Sequence, residues 1–278
     1  MTHAARILAD SISPAGVRLT TLEVTFPRIV LAEFNTHRVF SRNSASSRAI
    51  PVERMLAMVC EHPYVPSEWG QNQKGMQAEQ LLDPREASKA EAVWLQALYA
   101  AVDQAQRLLD CGVHKQLTNR LLEPFLWHTV IVSSTEWSNF FHLRCHAAAH
   151  PDIRKVAVLM RDAMVASAPR LLAQDEWHLP LTTPDELQEW RSENIVKMSV
   201  GRCARVSYLT HDGKRNPEAD IALHDRLLEA GHMSPFEHVA RPMTSEEEER
   251  MRFMSNFDGW VQYRKLIVGE ADILGGRR

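Results

Sequence analysis

The sequence predicts an α/β (α+β) fold with one short strand region followed mainly by helices. Leu22, Val24 and Phe26 alternate with polar neighbours, which is the two-residue period of a strand with one buried face. Residues 85–111 carry apolar side chains every three or four positions, which is typical of an amphipathic helix, and Gly112 is placed to end it. We therefore expect helices to make up most of the regular structure.

Local signals place the other elements in chain order. Pro27 suits a first helical turn, so a short helix is predicted over 29–36. Sparse periodicity predicts a long ordered loop over 63–83, which we interpret as a candidate lid. β-branched and aromatic residues predict a second strand over 125–132. Apolar periodicity and capping residues predict further helices over 51–61, 114–122, 136–145, 151–172 and 216–230.

The composition changes near residue 183. Residues 183–186 form a capping-box signature that opens a helix, and residues 234–237 form a second one. The acidic run 246–249 is typical of a solvated face. With 278 residues, 45% of them hydrophobic, the chain has the length of one large domain or two small ones. We expect a single domain over 1–278, with a subdomain edge near 183.

Charge and hydropathy argue against two classes of partner. The formal net charge is −3, which does not fit a protein that coats nucleic acid. No stretch approaches the roughly 20 apolar residues of a membrane span, and the N-terminus lacks the apolar core of a signal peptide. We expect a cytoplasmic protein without nucleic-acid or membrane partners.

The four cysteines include no Cys-x-x-Cys pair, so reduced thiols are expected instead of disulfides or a zinc ribbon. One cluster invites a zinc interpretation, because His142, Cys145, His146 and His150 lie close together in the sequence. It has no partner carboxylate at a metal-motif spacing. We predict no metal site and keep a zinc hydrolase as an alternative, which stoichiometric bound metal would reveal.

Residues 36–48 form the most informative segment. It holds three arginines, one histidine, four serines and one asparagine. The guanidinium groups of Arg38, Arg42 and Arg48 suit bidentate contacts with phosphate or carboxylate, and the serine hydroxyls add short donors. The segment is therefore predicted to bind an anion. The alternative is a basic, solvated surface loop.

The same segment resembles the flavin-dependent thymidylate synthases, the thymidylate synthase complementing protein family. That family carries an Arg-His-Arg triplet followed by a Ser and an Arg. His37, Arg38, Ser46 and Arg48 match this pattern, whereas Thr36 replaces the first Arg. Three further segments resemble family motifs: 112–144 with Arg120 and an Asn-Phe-x-x-Leu-Arg pattern ending at Arg144, 201–208, and the His-x-Ser-Pro-Phe-Glu-His run over 232–238.

The order of these segments differs from that of typical members. In the family, the elements that resemble 201–208 and 232–238 precede the Arg-His-Arg element, but here they come last. The chain is therefore interpreted as circularly permuted, with 183–278 carrying elements that are N-terminal elsewhere. Such a rearrangement is tolerated when the native termini lie close together at the surface.

The resemblance implies a fold, a reaction and an assembly. In the family, helices pack around a small twisted, mainly antiparallel sheet. The implied reaction is the reductive methylation of dUMP at C5 to give dTMP. Methylenetetrahydrofolate supplies the carbon, and FAD, reduced by NADPH, supplies the hydride. The family also implies a homotetramer whose active sites lie at subunit interfaces.

The resemblance also assigns roles by position. Arg144 is the implied catalytic residue, because a fixed positive charge facing the pyrimidine makes C5 more nucleophilic. The implied dUMP-binding residues are Glu33, Ser44, Ser46, Ser47, Arg48, Arg120 and Arg144. The implied FAD-binding residues are Thr36, His37, Arg38, Asn139, His232, Ser234 and Glu237. Covalent catalysis by Cys145 is kept as an alternative.

Two positions depart from the family pattern. Thr36 replaces an Arg, and Glu33 stands where the family usually has Gln. Arg42 is one candidate to replace the lost charge; Gln262 and Arg264 are others, if the C-terminal segment folds back. The departures leave open methylation or hydroxymethylation of another pyrimidine nucleotide. They also leave open a homologue that binds flavin or nucleotide without turnover.

Overall fold

The computed structural model describes residues 1–206, 215–251 and 255–267. Its strands are β1 (Ala4–Ile12), β2 (Arg18–Pro27), β3 (Ser41–Ser44), β4 (Trp127–Ser134), β5 (Arg170–Leu171), β6 (Ala240–Pro242) and β7 (Trp260–Gln262). Its α-helices are α1 (Leu31–Asn35), α2 (Val52–Glu61), α3 (Pro84–Asp110), α4 (Lys115–Thr118), α5 (Ser138–Arg144), α6 (Pro151–Ala166), α7 (Pro184–Glu189), α8 (Ser192–Arg205), α9 (Pro217–Glu229) and α10 (Ser245–Met251). Short 3-10 helices cover Arg28–Val30, Asn119–Phe125, Ser234–Glu237 and Tyr263–Leu266. The last two residues of the predicted 201–208 element lie outside the described residues.

Five strands form one sheet in the order β3-β4-β2-β1-β5. The β3–β4, β4–β2 and β2–β1 pairs are antiparallel, and β5 pairs in parallel with β1. β6 and β7 form a separate antiparallel pair. Helices pack around the larger sheet. The predicted α/β (α+β) fold class, with a small and mainly antiparallel sheet, is therefore confirmed.

Three strands of this sheet, β1, β3 and β5, were not predicted from the sequence. The pairing of β1 with β2 shifts between Ile7 and Ala9, and this irregularity breaks the alternation by which a strand is recognised. β3 lies inside the segment predicted to be a basic loop and pairs with residues 130–133 of β4. The buried side chains of β3 are Ser41 and Asn43, so no apolar alternation marks it as a strand.

Most helix predictions are confirmed, with changes at the ends. The clearest prediction corresponds to α3, which begins after Asp83 as N-cap and is followed by Gly112 in the left-handed conformation, at a φ of +77°. The helix predicted over 151–172 is wrong beyond residue 166. Pro169 disfavours helical geometry at the residue before it, and β5 begins at Arg170.

Three smaller predictions are corrected. The helix predicted over 114–122 is α4 followed by a 3-10 helix that ends at Phe125, so the following strand begins at residue 127. Residues 234–237 form a 3-10 helix without a side-chain cap, so the second capping box is wrong. The acidic run lies in α10, where Glu246, Glu248 and Glu249 are exposed as predicted, and only Glu247 departs from the prediction, by forming a partly buried, bidentate ion pair with Arg241.

One face of the sheet is apolar. Leu22, Val24 and Phe26 of β2 are fully buried, and so, nearly, are Val130 and Val132 of β4. They pack against α1, α5 and α6 in a cluster that includes Phe34, Phe140, Ile153, Val156 and Met160. Burial of this apolar area is the main force that holds these helices to the sheet.

The opposite face is also buried, but much of it is polar. Thr21 and Ser133 are paired across β2 and β4, and both are fully buried. Thr21 Oγ1 contacts Ser133 Oγ at 2.6 Å and His178 Nε2 at 2.8 Å. His238 Nδ1 contacts Ser133 Oγ at 2.8 Å. Because both histidines follow β5 in the chain, hydrogen bonds join this face to the C-terminal region.

The C-terminal region also has an apolar cluster of its own. Ile195, Met198, Val200, Leu227 and Phe236 bring α8, α9 and the 234–237 turn together. Whether the chain is one domain with a subdomain edge near 183 stays a prediction. Within the described residues, no helix combines the length and the hydropathy needed to span a bilayer.

Candidate functional site

The candidate site lies where the end of α1, the loop before β3 and the end of α5 meet. Arg144 is the last residue of α5. Its Nε donates to His37 Nε2 at 2.9 Å. Its Nη2 donates to Thr36 Oγ1 at 3.0 Å and to the backbone oxygen of Glu33 at 3.3 Å. The structure therefore brings together four residues that were predicted from two separate sequence segments.

The acceptors around Arg144 are all uncharged: an imidazole nitrogen, a hydroxyl and a peptide oxygen. Within the described ranges, no carboxylate forms an ion pair with Arg144, and its Nη1 has no hydrogen-bond partner. The positive charge is therefore available to an anionic or strongly polar ligand.

His37 is neutral at physiological pH. Burial, reinforced by the charges of Arg144 and Arg42, lowers its pKa to about 4. Its ring meets Phe140 edge-on, with the ring centroids 4.9 Å apart. Because a guanidinium can only donate, His37 Nε2 must accept from Arg144, which assigns the ring proton to Nδ1.

Glu33 contributes a second unusual group. Its carboxylate oxygen Oε2 is buried and has no hydrogen-bond partner among the described residues. A buried acceptor without a donor is costly, so a donor from water or from a ligand would stabilise it. This oxygen belongs to the residue whose backbone holds Arg144.

The described part of the C-terminal segment, up to residue 267, folds back onto β3, which was the condition for Gln262 and Arg264 to reach the site. Gln262 Nε2 donates to Ser41 Oγ at 2.9 Å and to the backbone oxygen of Glu237 at 3.0 Å. Arg264 forms an ion pair with the Glu237 carboxylate. The charge of Arg264 thus faces Glu237, whereas Arg144 occupies the position beside Thr36.

Arg42 contacts the backbone of the loop that carries His37 and also lies near Glu237. Its Nη1 donates to the backbone oxygens of Phe34 at 3.4 Å and His37 at 3.5 Å. Burial lowers its pKa, and the negative charge of Glu237 opposes that shift. Arg42 therefore braces the loop that carries His37, which is a structural use of one of the three arginines of the basic segment.

The 201–208 and 232–238 segments reach β3 as well. Asn43 Nδ2 donates to the backbone oxygen of Cys203 at 2.7 Å, and Ser234 Oγ donates to Asn43 Oδ1 at 3.4 Å. His232, two residues before Ser234, is exposed. Segments that the sequence alone associated with one site are therefore neighbours in the fold.

A second group of predicted residues surrounds Glu123. Its carboxylate accepts from Ser47 Oγ at 2.7 Å and from Arg120 Nη1 at 2.8 Å, and it pairs with Arg28 at 3.0 Å. Neither Glu123 nor Arg28 was singled out from the sequence. The three-residue spacing from Arg120 is the signal that would have identified Glu123. Arg48 is exposed, and nothing in the described part of the chain pairs with it.

The remaining predicted residues lie along the same elements. Arg38 follows His37 directly, and Asn139 lies in the first turn of α5; both side chains are exposed. Ser44 ends β3, Ser46 follows it closely, and both are half-buried.

Two of the histidines near Cys145, His146 and His150, have local structural roles. Burial raises the pKa of the Cys145 thiol, which disfavours the thiolate that the covalent alternative requires. His146 Nδ1 accepts from the backbone of Ala148 at 3.1 Å, and His150 Nδ1 caps α6 by accepting from the backbone of Asp152 at 3.3 Å. Over the described ranges, no three His, Cys, Asp or Glu side chains are grouped so as to hold a metal ion.

Comparison with known proteins identifies one family and structures of similar fold. No curated protein sequence matches the chain. Two crystal structures of PolB, a UMP/dUMP methylase from Streptomyces cacaoi, are similar to it. The structure bound with 5-Br UMP has a TM-score of 0.49 at 17% identity and covers 59% of this chain and 88% of that chain. The structure bound with 5-Br dUMP has a TM-score of 0.42 at 18% identity and covers 53% of this chain and 67% of that chain.

The family profile described as thymidylate synthase complementing protein (Thy1) matches residues 11–170. This range includes the basic segment, Arg120 and Arg144. It ends before the 201–208 and 232–238 segments, so the permuted order stays a prediction. Because the match spans more than half of the 278 residues, the chain belongs to the thymidylate synthase complementing protein family.

Proposed function

We propose that this protein is a flavin-dependent thymidylate synthase, which methylates dUMP at C5 to give dTMP. Methylenetetrahydrofolate is the proposed carbon donor, NADPH the reductant and FAD the cofactor. The observation that carries the proposal is Arg144, which neutral groups hold beside Thr36 and His37 inside the range that matches the family. The proposal implies a soluble, cytoplasmic enzyme of nucleotide synthesis.

Arg48 is the main residue that we propose to bind the phosphate of the nucleotide. This side chain is exposed, and the described residues leave its charge unpaired, so it is ready to form a fork with phosphate oxygens. Arg120 and Ser47 are the other proposed contacts, but both are bonded to Glu123. A bound phosphate would therefore compete with the Glu123 carboxylate for these donors, which makes Glu123 a determinant of nucleotide affinity.

The residues proposed for FAD fit an anionic, partly aromatic group. Arg38 is exposed, and its charge has no partner in the described ranges. Asn139, His232 and Ser234 present exposed polar side chains. When bound, FAD would supply the hydride for reduction of the transferred carbon.

Arg144 is the proposed catalytic residue. A fixed guanidinium at the pyrimidine favours the N3-deprotonated, enolate-like form of the ring, in which C5 is more nucleophilic. Because the groups that hold Arg144 are neutral, its charge is not cancelled before the substrate arrives. The neutral His37 holds the guanidinium by accepting from Nε and adds no competing positive charge.

We also propose a homotetramer whose active sites lie at subunit interfaces. Exposed donors such as Arg38 and Arg48 would then face a neighbouring copy as well as the ligand. Size-exclusion chromatography with light scattering tests the assembly independently of activity.

The activity test measures tritium release from dUMP labelled at C5, with identification of the product by chromatography. We expect release that requires FAD, NADPH and methylenetetrahydrofolate, with dTMP as product. Arg144→Gln should lower turnover by about a hundredfold, the range seen when one charge-stabilising donor is removed. The matched control is Arg107→Gln on the exposed side of α3, which should keep full activity.

The same assay separates the alternatives. Flavin and nucleotide binding without tritium release would identify a homologue that lacks turnover. Release without dTMP would identify hydroxymethylation, and a preference for UMP or dCMP over dUMP would identify a different pyrimidine substrate. Glu33 is the specific reason to test those substrates, because its carboxylate replaces an amide and can only accept hydrogen bonds when ionised.

A further inference from the structure

Thr36 takes part in a directed chain of hydrogen bonds that ends on Arg144. The Thr36 hydroxyl donates to the backbone oxygen of Glu33 at 2.6 Å. Its single proton is therefore committed, and its oxygen can serve Arg144 only as an acceptor. Arg144 Nη2 donates to that oxygen at 3.0 Å and also reaches the Glu33 oxygen, at 3.3 Å. A hydroxyl that donates and accepts at once polarises both bonds.

The contacts of Arg144 fix the plane of its guanidinium. Nε is held by His37 and Nη2 by Thr36 and the Glu33 backbone, so two of the three nitrogens are anchored. Because the guanidinium is planar, holding two of its nitrogens also fixes the direction in which the N–H groups of the third nitrogen point. That direction belongs to Nη1, whose two N–H groups have no partner in the described part of the chain.

We infer that Thr36 is a positioning residue for Arg144, and that it aims Nη1 at an oxygen of the bound pyrimidine nucleotide. The inference rests on the proposed function for the identity of the ligand, but the Thr36–Arg144 contact itself does not. In this chain the side chain at position 36 is short and neutral, so it holds Arg144 without repelling its charge, as a cation would, or cancelling it, as a carboxylate would.

Thr36 is well suited to a substitution test because its side chain is exposed, so replacement leaves no cavity. Thr36→Val keeps the shape and removes the hydroxyl, whereas Thr36→Ser keeps the hydroxyl. Thr182→Val is a matched control. The Thr182 hydroxyl donates to the backbone oxygen of Leu179, also three residues earlier, at 2.8 Å, but it lies outside the candidate site.

The first readout is ¹⁵N-resolved NMR of the arginine side chains and of the His37 ring, in the full chain without ligand. In the native protein and in Thr36→Ser we expect a slowly exchanging Arg144 Nε–H signal and a His37 ring protonated at Nδ1. In Thr36→Val we expect faster exchange at Arg144. Identical Arg144 signals in Thr36→Val and Thr36→Ser would overturn the inference.

The second readout is the dissociation constant of dUMP, measured by calorimetry. Loss of one hydrogen bond to a charged group should weaken binding by about tenfold in Thr36→Val. Thr36→Ser should stay within about twofold of the native value, and Thr182→Val should not change it. If Thr36→Val binds dUMP as tightly as the native protein does, Thr36 does not aim Arg144 at the nucleotide.

The two readouts fail separately. A native protein that binds no dUMP would refute the proposed function, and the NMR comparison would then decide the positioning role alone. A native protein that binds dUMP, with no difference between Thr36→Val and Thr36→Ser in either readout, would refute the positioning role and leave the proposed function intact.

Discussion

Replacing Arg202 with Met should destabilise the C-terminal region strongly. Arg202 lies in α8, and only 3% of its surface is exposed. Its Nη1 and Nη2 donate to the two carboxylate oxygens of Glu186, each at 2.8 Å, and its Nε donates to Asp220 at 2.8 Å. Nη1 also donates to the backbone oxygen of Leu181 at 2.9 Å. Arg202 therefore ties α7, α8 and α9 together.

The size of the effect follows from what the substitution leaves behind. Met fills a similar volume but cannot donate, so Glu186 and Asp220 each lose a buried cation. Breaking a buried ion pair from one side costs about 3–5 kcal/mol. Each carboxylate keeps one other arginine, Arg215 at 2.7 Å and Arg205 at 2.7 Å respectively, so we expect the lower end, about 3 kcal/mol.

Arg215 provides the matched control. It pairs with the same Glu186 at 2.7 Å, but 47% of its side chain is exposed. An exposed ion pair contributes about 0–1 kcal/mol, so Arg215→Ala should change stability little. By thermal unfolding, Arg202→Met should lower Tm by about 5–10 °C and Arg215→Ala by no more than about 3 °C.

The pH dependence of unfolding gives a second test of the same pair. Burial alone raises the pKa of Glu186, but the hydrogen bonds from Arg202 lower it to about 2. This stabilisation is complete above pH 4.5, the usual pKa, and is lost as the pH falls towards 2. Arg202→Met should flatten the stability curve in that window. If Arg202→Met and Arg215→Ala lowered Tm by the same amount, the argument from the burial of Arg202 would be refuted.

Other predictions follow from the polar face and from Cys145. Thr21→Val removes the hydroxyl that bonds both buried Ser133 and buried His178. Urea unfolding should show that the free energy of unfolding falls by about 2–4 kcal/mol. Burial lowers the pKa of His178 and of His238 to about 3, so the stability that they contribute is complete above pH 6.5 and is lost as the pH falls towards 3. Unfolding at pH 5 should therefore need about 2 kcal/mol less per histidine than at pH 7, and equal values at the two pH values would contradict this. Cys145→Ser should keep the proposed turnover in the tritium-release assay, because burial raises the pKa of the native thiol; loss of turnover without loss of folding would favour the covalent alternative.

Elements with a strong local signal could be predicted from the sequence. α3 has both a regular apolar period and capping residues, and its predicted ends differ from the observed ones by one residue each. α6 shows the limit of periodicity, because its apolar pattern continued past the point where Pro169 disfavours a helix.

β3 shows what local sequence cannot reveal. Its four residues are a serine, an arginine, an asparagine and a serine, which have low strand propensity. They form a strand because β4 offers an unpaired edge, and because Gln262 and Cys203 supply partners for Ser41 and Asn43 from far along the chain. Such a strand depends on tertiary contacts, so only the fold reveals it.

The candidate site, like the fold, could be predicted from the sequence only in part. The basic segment identified His37 and Arg48, because charge and hydroxyl density are visible locally. The partners that decide which arginine is available were not visible. Glu123 forms an ion pair with Arg120, and Glu237 forms one with Arg264, whereas neutral acceptors hold Arg144. A count of arginines therefore predicted that an anion binds here, but not which cation is left to bind it.

The two faces of the sheet explain how distant segments form one site. The apolar face is covered by helices from the first 170 residues, which hydrophobic burial holds without a strict register. The polar face requires each hydroxyl and imidazole to meet a specific partner, and these partners come from the C-terminal region. Ser234 and Asn43 meet in this way although 191 positions separate them in sequence. Their contact depends on the pairing of polar groups and not on which segment comes first in the chain, so the fold can keep the same neighbours whether the 232–238 segment precedes or follows β3.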